Sequence, residues 1–205
     1  MARRSHLEST KRIETLVDGI FAIAMTLLVL NLNIPQLVKP VSDATMQSIL
    51  IGLEPKFFTY ALSFILLAVF WRINHTQFYY IKHVNNPLIW INVVWLLFVA
   101  LVPFSTSLTG EYGDLISSNV FFDLNLFAIG ALSAFNWYYA TEKNLIDRDL
   151  DLVKIKNMRR LNLIFPFVSL LAVAMAFITP SWSTLSYLLI PLIFRIMEKN
   201  QSSTI

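Results

Sequence analysis

The charges of this chain sit in short islands, and between the islands run apolar stretches of about 20 residues. No other feature constrains the fold as strongly. Wound as a helix rising ~1.5 Å per residue, such a stretch crosses a hydrocarbon layer of roughly 30 Å. Only 14% of the 205 residues are charged, where a soluble domain carries roughly 25%. The strands of a membrane barrel would alternate over about ten residues, and no such alternation is visible. The pattern predicts an all-α polytopic membrane protein with six transmembrane helices in a single domain covering 1–205. The expected spans are about 13–34, 48–71, 88–108, 119–141, 159–179 and 182–197, the last marginal in length.

Orientation follows from the basic residues. Arg3, Arg4, Lys11 and Arg12 precede the first span, and Arg72 and Lys82 lie between the second and third. Lys143, Arg148, Lys154, Lys156, Arg159 and Arg160 lie between the fourth and fifth, and Arg195 and Lys199 follow the sixth. Only Lys39 and Lys56 fall on the other side, with Glu111 and Asp114 in an acidic loop. The positive-inside rule then places both termini in the cytoplasm, with the chain multi-pass in the cell (plasma) membrane. The same placement accounts for a pI near 9.2 without a nucleic-acid partner. The basic front and apolar stretch also resemble a signal peptide. No small-x-small cleavage site follows, however, and the run ends at Asn31, Asn33 and Pro35, so it reads as a retained first span.

Little in the chain suggests covalent chemistry. It has no cysteine, hence no disulfide, thiolate metal site or cysteine nucleophile. The three histidines, His6, His75 and His83, lack metal-ligand spacing. No P-loop, HExxH, GxSxG or paired intramembrane carboxylates are visible. The expectation is a protein that is not an enzyme and uses neither cofactor nor metal. Nor is there a TVGYG-like filter, a voltage-sensing arginine repeat or an internal repeat.

The stretch "RIETLVDGIFAIAMTLLVLNLNIP", from Arg12 to Pro35, is the most informative. Asp18 stands about one turn inside the membrane, where a carboxylate needs a protein partner. Arg12 lies about 240° away around the helix, and Glu14 is a like charge. Asp18 therefore reaches another helix, where "WRINHTQ" offers Arg72, Asn74, His75 and Thr76, and the third span adds Trp90 and Asn92. Two readings follow: a hydrogen-bonded network that locks the helices, or a proton relay through Asp18 and His75. Further along, Ile23, Leu27 and Leu30 form one stripe, extended outward by Ile34. That stripe suits lipid contact or helix packing; if it lines a pore, the constriction is hydrophobic and gates by dewetting. Gly19, Ala22 and Ala24 suit close helix packing, and Asn31 and Asn33 place amides at the outer end. In the third span, Ser105, Thr106 and Ser107 can satisfy carbonyls freed by Pro103. Asp123 suits the dipole of the fourth helix or an outer mouth.

The segment from Arg12 to Leu30 resembles the TMEM175 family of potassium-permeable channels, whose first helix carries "RxxxFSDG" and then a "FAIAxTLLVL"-like run. Arg12, Asp18 and Gly19 match, while Leu16 and Val17 stand where the pattern has phenylalanine and serine. "FWRINHTQF" and "WINVVWLLFVALVPFSTSLTGEY" extend the resemblance across the first three spans. The resemblance implies a prokaryotic single-repeat member that assembles as a homotetramer in the lipid bilayer, with the first helix of each subunit forming a pore for potassium ions. Ile23, Leu27 and Leu30 would be its hydrophobic gate, with Asn31 and Ile34 at the mouth. Arg12, Asp18, His75, Asn92 and Ser105 would form a supporting network. The alternative is a proton channel or proton-coupled transporter using Asp18 and His75.

Overall fold

A computed structural model describes residues 2–34, 41–147 and 149–190, with residues 2–9 and 181 described by backbone alone. The described residues are almost entirely helical. α1 (Ala2–Leu27) ends in a 3-10 turn over Leu28–Asn31, and α2 (Asp43–Gly52) is short. α3 (Glu54–Tyr80), α4 (Asn86–Glu111) and α5 (Ile116–Glu142) are the long helices. α6 (Leu152–Asn162) and α7 (Ile164–Ala176) follow, then α8 (Pro180–Ser183) and a 3-10 turn over Thr184–Leu188. Five helical stretches have the length and apolar character to cross a membrane: Thr10–Asn31, Glu54–Tyr80, Asn86–Glu111, Ile116–Glu142 and Leu152–Ala176. The expected sixth span is described only to Ile190; residues 191–197, with Pro191, lie outside the described residues.

Local chemistry sets the helix ends. Pro55 sits in the first turn of α3, where its missing N–H costs nothing, so residues 48–52 belong to α2 and not to the second span. α3 then runs unbroken through "RINHTQFYY" to Tyr80. The Asn85 side chain caps α4 by accepting from the Leu88 N–H. α5 stops in a Schellman motif. Asn144 adopts φ 52°, and the Leu145 and Asn144 N–H groups donate to the Ala140 and Thr141 carbonyls. Ahead of Pro166 the chain breaks between α6 and α7 at Leu163. The proline ring collides with the carbonyl four residues earlier, which is that of Asn162, the last residue of α6.

α5 packs against α4 on one side and α7 on the other, while α1 lies against α3 and α4. Phe122, Leu126 and Ile129 of α5 are fully buried beside Trp95 and Val99 of α4 and Phe165 of α7. Gly130 permits the close approach of α5 to α7, since a Cβ there would lie 2.9 Å from Phe165 Cβ and Pro166 Cδ. Large apolar side chains also cover the outside of the bundle, among them Ile65, Leu97 and Phe167. An apolar exterior is what a lipid solvent requires.

Candidate functional site: the exposed face of the first helix

α1 has two apolar faces, and only one is buried within the chain. Ile13, Val17, Phe21, Ala24 and Leu28 recur at three- and four-residue spacing and pack on α3 and α4, with Phe21 tilted against Trp95 at 5.4 Å. The other face carries Leu16, Ile23, Leu27, Leu30 and Ile34 on the surface, with Ile23 57% and Leu30 63% exposed. The Thr26 hydroxyl is turned back onto the carbonyls of Ala22 and Ile23. From Gly19 to Leu30, α1 thus presents an aliphatic surface with no free hydrogen-bonding group. Near the N-terminal end, an open groove of about 900 Å³ runs along this face, lined by Arg12, Leu16, Gly19, Ile20, Ile23 and the neighbouring Ile89 of α4.

Asn31 does not face the same way as the stripe. It is half-buried, and its Nδ2 donates to the Pro103 carbonyl of α4 at 3.0 Å. Ser105 donates to the Val102 carbonyl, not to that of Val99, whose α-helical donor Pro103 lacks, and accepts from Asn125 Nδ2 at 3.1 Å.

The five residues expected to form one supporting network occupy separate places. Asp18 Oδ1 accepts from Trp71 Nε1 at 2.7 Å, and the His75 ring stacks on Trp71 at 5.7 Å without touching Asp18. Arg12 is exposed and forms no ion pair with any side chain described. Asn92 belongs to a buried amide chain: Asn74 Nδ2 donates to Asn92 Oδ1, Asn92 Nδ2 to Asn136 Oδ1, and Asn136 Nδ2 to Gln77 Oε1. Gln77 Nε2 in turn reaches Ser133 and Asn162. Ser105 sits at the far end of α4, roughly 20 Å along the helix from Asn92 at 1.5 Å per residue. Depth along the helices divides the set.

Sequence reasoning missed Trp71, Gln77, Asn136 and Asn162. Trp71 carries a readable signal, an indole donor one turn before His75 at the depth of Asp18. The amides of α5 and α6 carry none, because nothing in a single sequence shows that they face α3. Asp123 is neither at a mouth nor a dipole partner on the surface. It is fully buried, with Oδ1 accepting from Tyr187 Oη at 2.9 Å and Oδ2 without a partner.

The fold and this surface define a multi-pass helical membrane protein whose first helix turns an unbroken aliphatic stripe outward. Residues 12–103 match the family model described as endosomal/lysosomal potassium channel TMEM175. Over that segment the chain is similar to the TMEM175 family. It is 36% identical over 112 residues to a potassium channel of Chamaesiphon minutus, covering 55% of each chain. It is 29% identical over 112 residues to an endosomal/lysosomal proton channel TMEM175 of Gallus gallus, covering 52% of this chain and 22% of that one. The chain spans about half the length of the curated bacterial relatives it matches. Among solved structures, that of a lysosomal potassium-selective channel TMEM175 homolog from Chamaesiphon minutus superposes with TM-score 0.80 at 26% identity, covering 92% of this chain and 97% of that one.

Proposed function

We propose that the chain is one subunit of a potassium-permeable channel in the cell membrane, with both termini cytoplasmic. Four copies would place the exposed stripe of α1 around a shared axis. Ile23, Leu27 and Leu30 then form the constriction, and Ile34 stands at its mouth. The observation that carries this reading is the stripe itself. It lies in the segment that matches the family, and no part of the described chain covers it. A single α1 cannot enclose a pore, so the reading requires several copies. A bare aliphatic ring offers a permeating ion no ligand, so it discriminates through the cost of dehydration and closes by expelling water. Selectivity over sodium is then modest.

The test is potassium flux from liposomes with a protonophore supplied to balance charge. Ile23→Asn wets the ring, and the expected result is a changed conductance or selectivity. Unchanged flux after polar substitution at all three ring positions would sink the proposal.

A second reading, proton conduction through Asp18 and His75, draws on the vertebrate relatives described as proton channels. Geometry gives it less support, because Trp71 stands between the two groups and an indole N–H is a donor only. Proton flux lost in Asp18→Asn, in a protein that keeps its assembly, would favour it.

A further inference from the structure

The last turn of α1 is wound differently from the rest, and Asn31 is the side chain that ties it down. We propose that Asn31 is a positioning residue for the outer end of the constriction. By donating to the Pro103 carbonyl it holds Leu28–Asn31 in 3-10 winding and so sets where Leu30 points. The inference rests on the reading that the exposed face of α1 lines the pore.

In α winding, Leu30 stands about 60° around the axis from Leu27 and ~4.5 Å above it. Three residues of 3-10 winding complete a turn, so Leu30 eclipses Leu27 and rises ~6 Å. The observed turn covers Leu28–Asn31 and ends as the Leu32 N–H donates to the Val29 carbonyl. The tightened winding thus brings Leu30 into line with Leu27, where the α period alone sets it about 60° aside. A 3-10 turn commonly closes an α-helix but has poorer hydrogen-bond geometry, so a tie to a neighbouring helix adds to its hold. Leu28, fully buried, anchors the start of the turn, and the amide of Asn31 anchors its end on α4. The acceptor belongs to Pro103, which lies past the first turn of α4, where the ring disturbs the backbone ladder. Thirteen residues earlier, Asp18 is tied to another helix by accepting from Trp71 Nε1. Between these two ties the contact is apolar, so loss of the Asn31 bond frees the outer turn without releasing the helix.

The chain has no cysteine, so single introduced cysteines report without background. The experiment measures the rate at which a charged, water-soluble thiol reagent modifies Leu30→Cys and Ile23→Cys in the full chain in liposomes, together with potassium flux. Adding Asn31→Leu, close in size but without a donor, is expected to shift the Leu30→Cys rate about fivefold, the population change from one lost hydrogen bond. The Ile23→Cys rate stays as it was. Pro103→Ala, which restores a regular backbone around the acceptor, produces the same shift, and the two changes together do not add. Asn31→Gln, which keeps the amide, recovers much of the original rate. An unchanged Leu30→Cys rate in Asn31→Leu overturns the proposal, as does an equal shift at both cysteines. If modification of either cysteine leaves flux untouched, the pore reading fails and the constriction role with it. The accessibility shift at Leu30→Cys alone would then remain, which tells the two failures apart.

Discussion

α1 and α5 are both long apolar helices, and the more apolar of the two is the less buried. The membrane-length window of α1 has mean hydropathy 2.0 and is 28% buried, while that of α5 has 1.3 and is 50% buried. In water that order would be reversed. In lipid an exposed leucine costs nothing, whereas an exposed amide or carboxylate has no partner. α5 carries Asn119, Asp123, Asn125, Ser133 and Asn136, all buried, and these polar groups draw it to the centre of the bundle. α1 is polar mainly near its start, so its outer face is left for lipid or for other copies.

Substitutions on the two helices test that contrast, taken here from the largest stability effect to the smallest. Phe21→Ala removes a fully buried ring from the inner face of α1 and should lower unfolding stability in detergent by about 3 kcal/mol. A loss as small as that of an outer-face substitution would show that α1 is not held by packing. Gln77→Leu leaves Asn136 and Ser133 of α5 and Asn162 of α6 short of a partner. Thermal unfolding should report a loss of about 2 kcal/mol, bonds inside membrane proteins being individually modest. Trp71→Phe keeps the stacking on His75 but removes the donor to Asp18, with an expected cost of about 1 kcal/mol and a weaker hold on α1 around Asp18. Hydrogen exchange at the backbone of Val17 to Ile20 would detect that loosening. Ile23→Ala lies only two residues from Phe21 yet should change stability by no more than about 0.5 kcal/mol. A large loss there would mean that the outer face is packed within the chain.

Much of the architecture was legible from residue pattern alone: the first five apolar runs correspond to helical stretches of membrane-spanning length. The unequal start of α3 was not legible, because residues 48–53 are as apolar as a span and only the Glu54–Pro55 pair interrupts them. Nor was the early start of α6. "LVKIKNMRRLN" looks like a charged connection, yet it is tied to the bundle along its length by Lys154 over the Tyr80 ring, Arg159 over the Tyr138 ring and Asn162 on Gln77. For the site, Asp18 announced a partner on another helix, but the choice of Trp71 over Arg72 or His75 depends on the rotation of α3 about its own axis.

The sequence by itself determined the class of this protein, the length of its helices and the stripe of Ile23, Leu27 and Leu30, since these follow from hydropathy and period. Which face of α1 turns outward was decided only by the tertiary structure. Both faces are aliphatic, and lipid accepts either. Phe21 fits against Trp95 and Ile23 does not. The same holds for Asn31: its residue type suggested a polar mouth, and the position of the Pro103 carbonyl turned it into a tie between two helices.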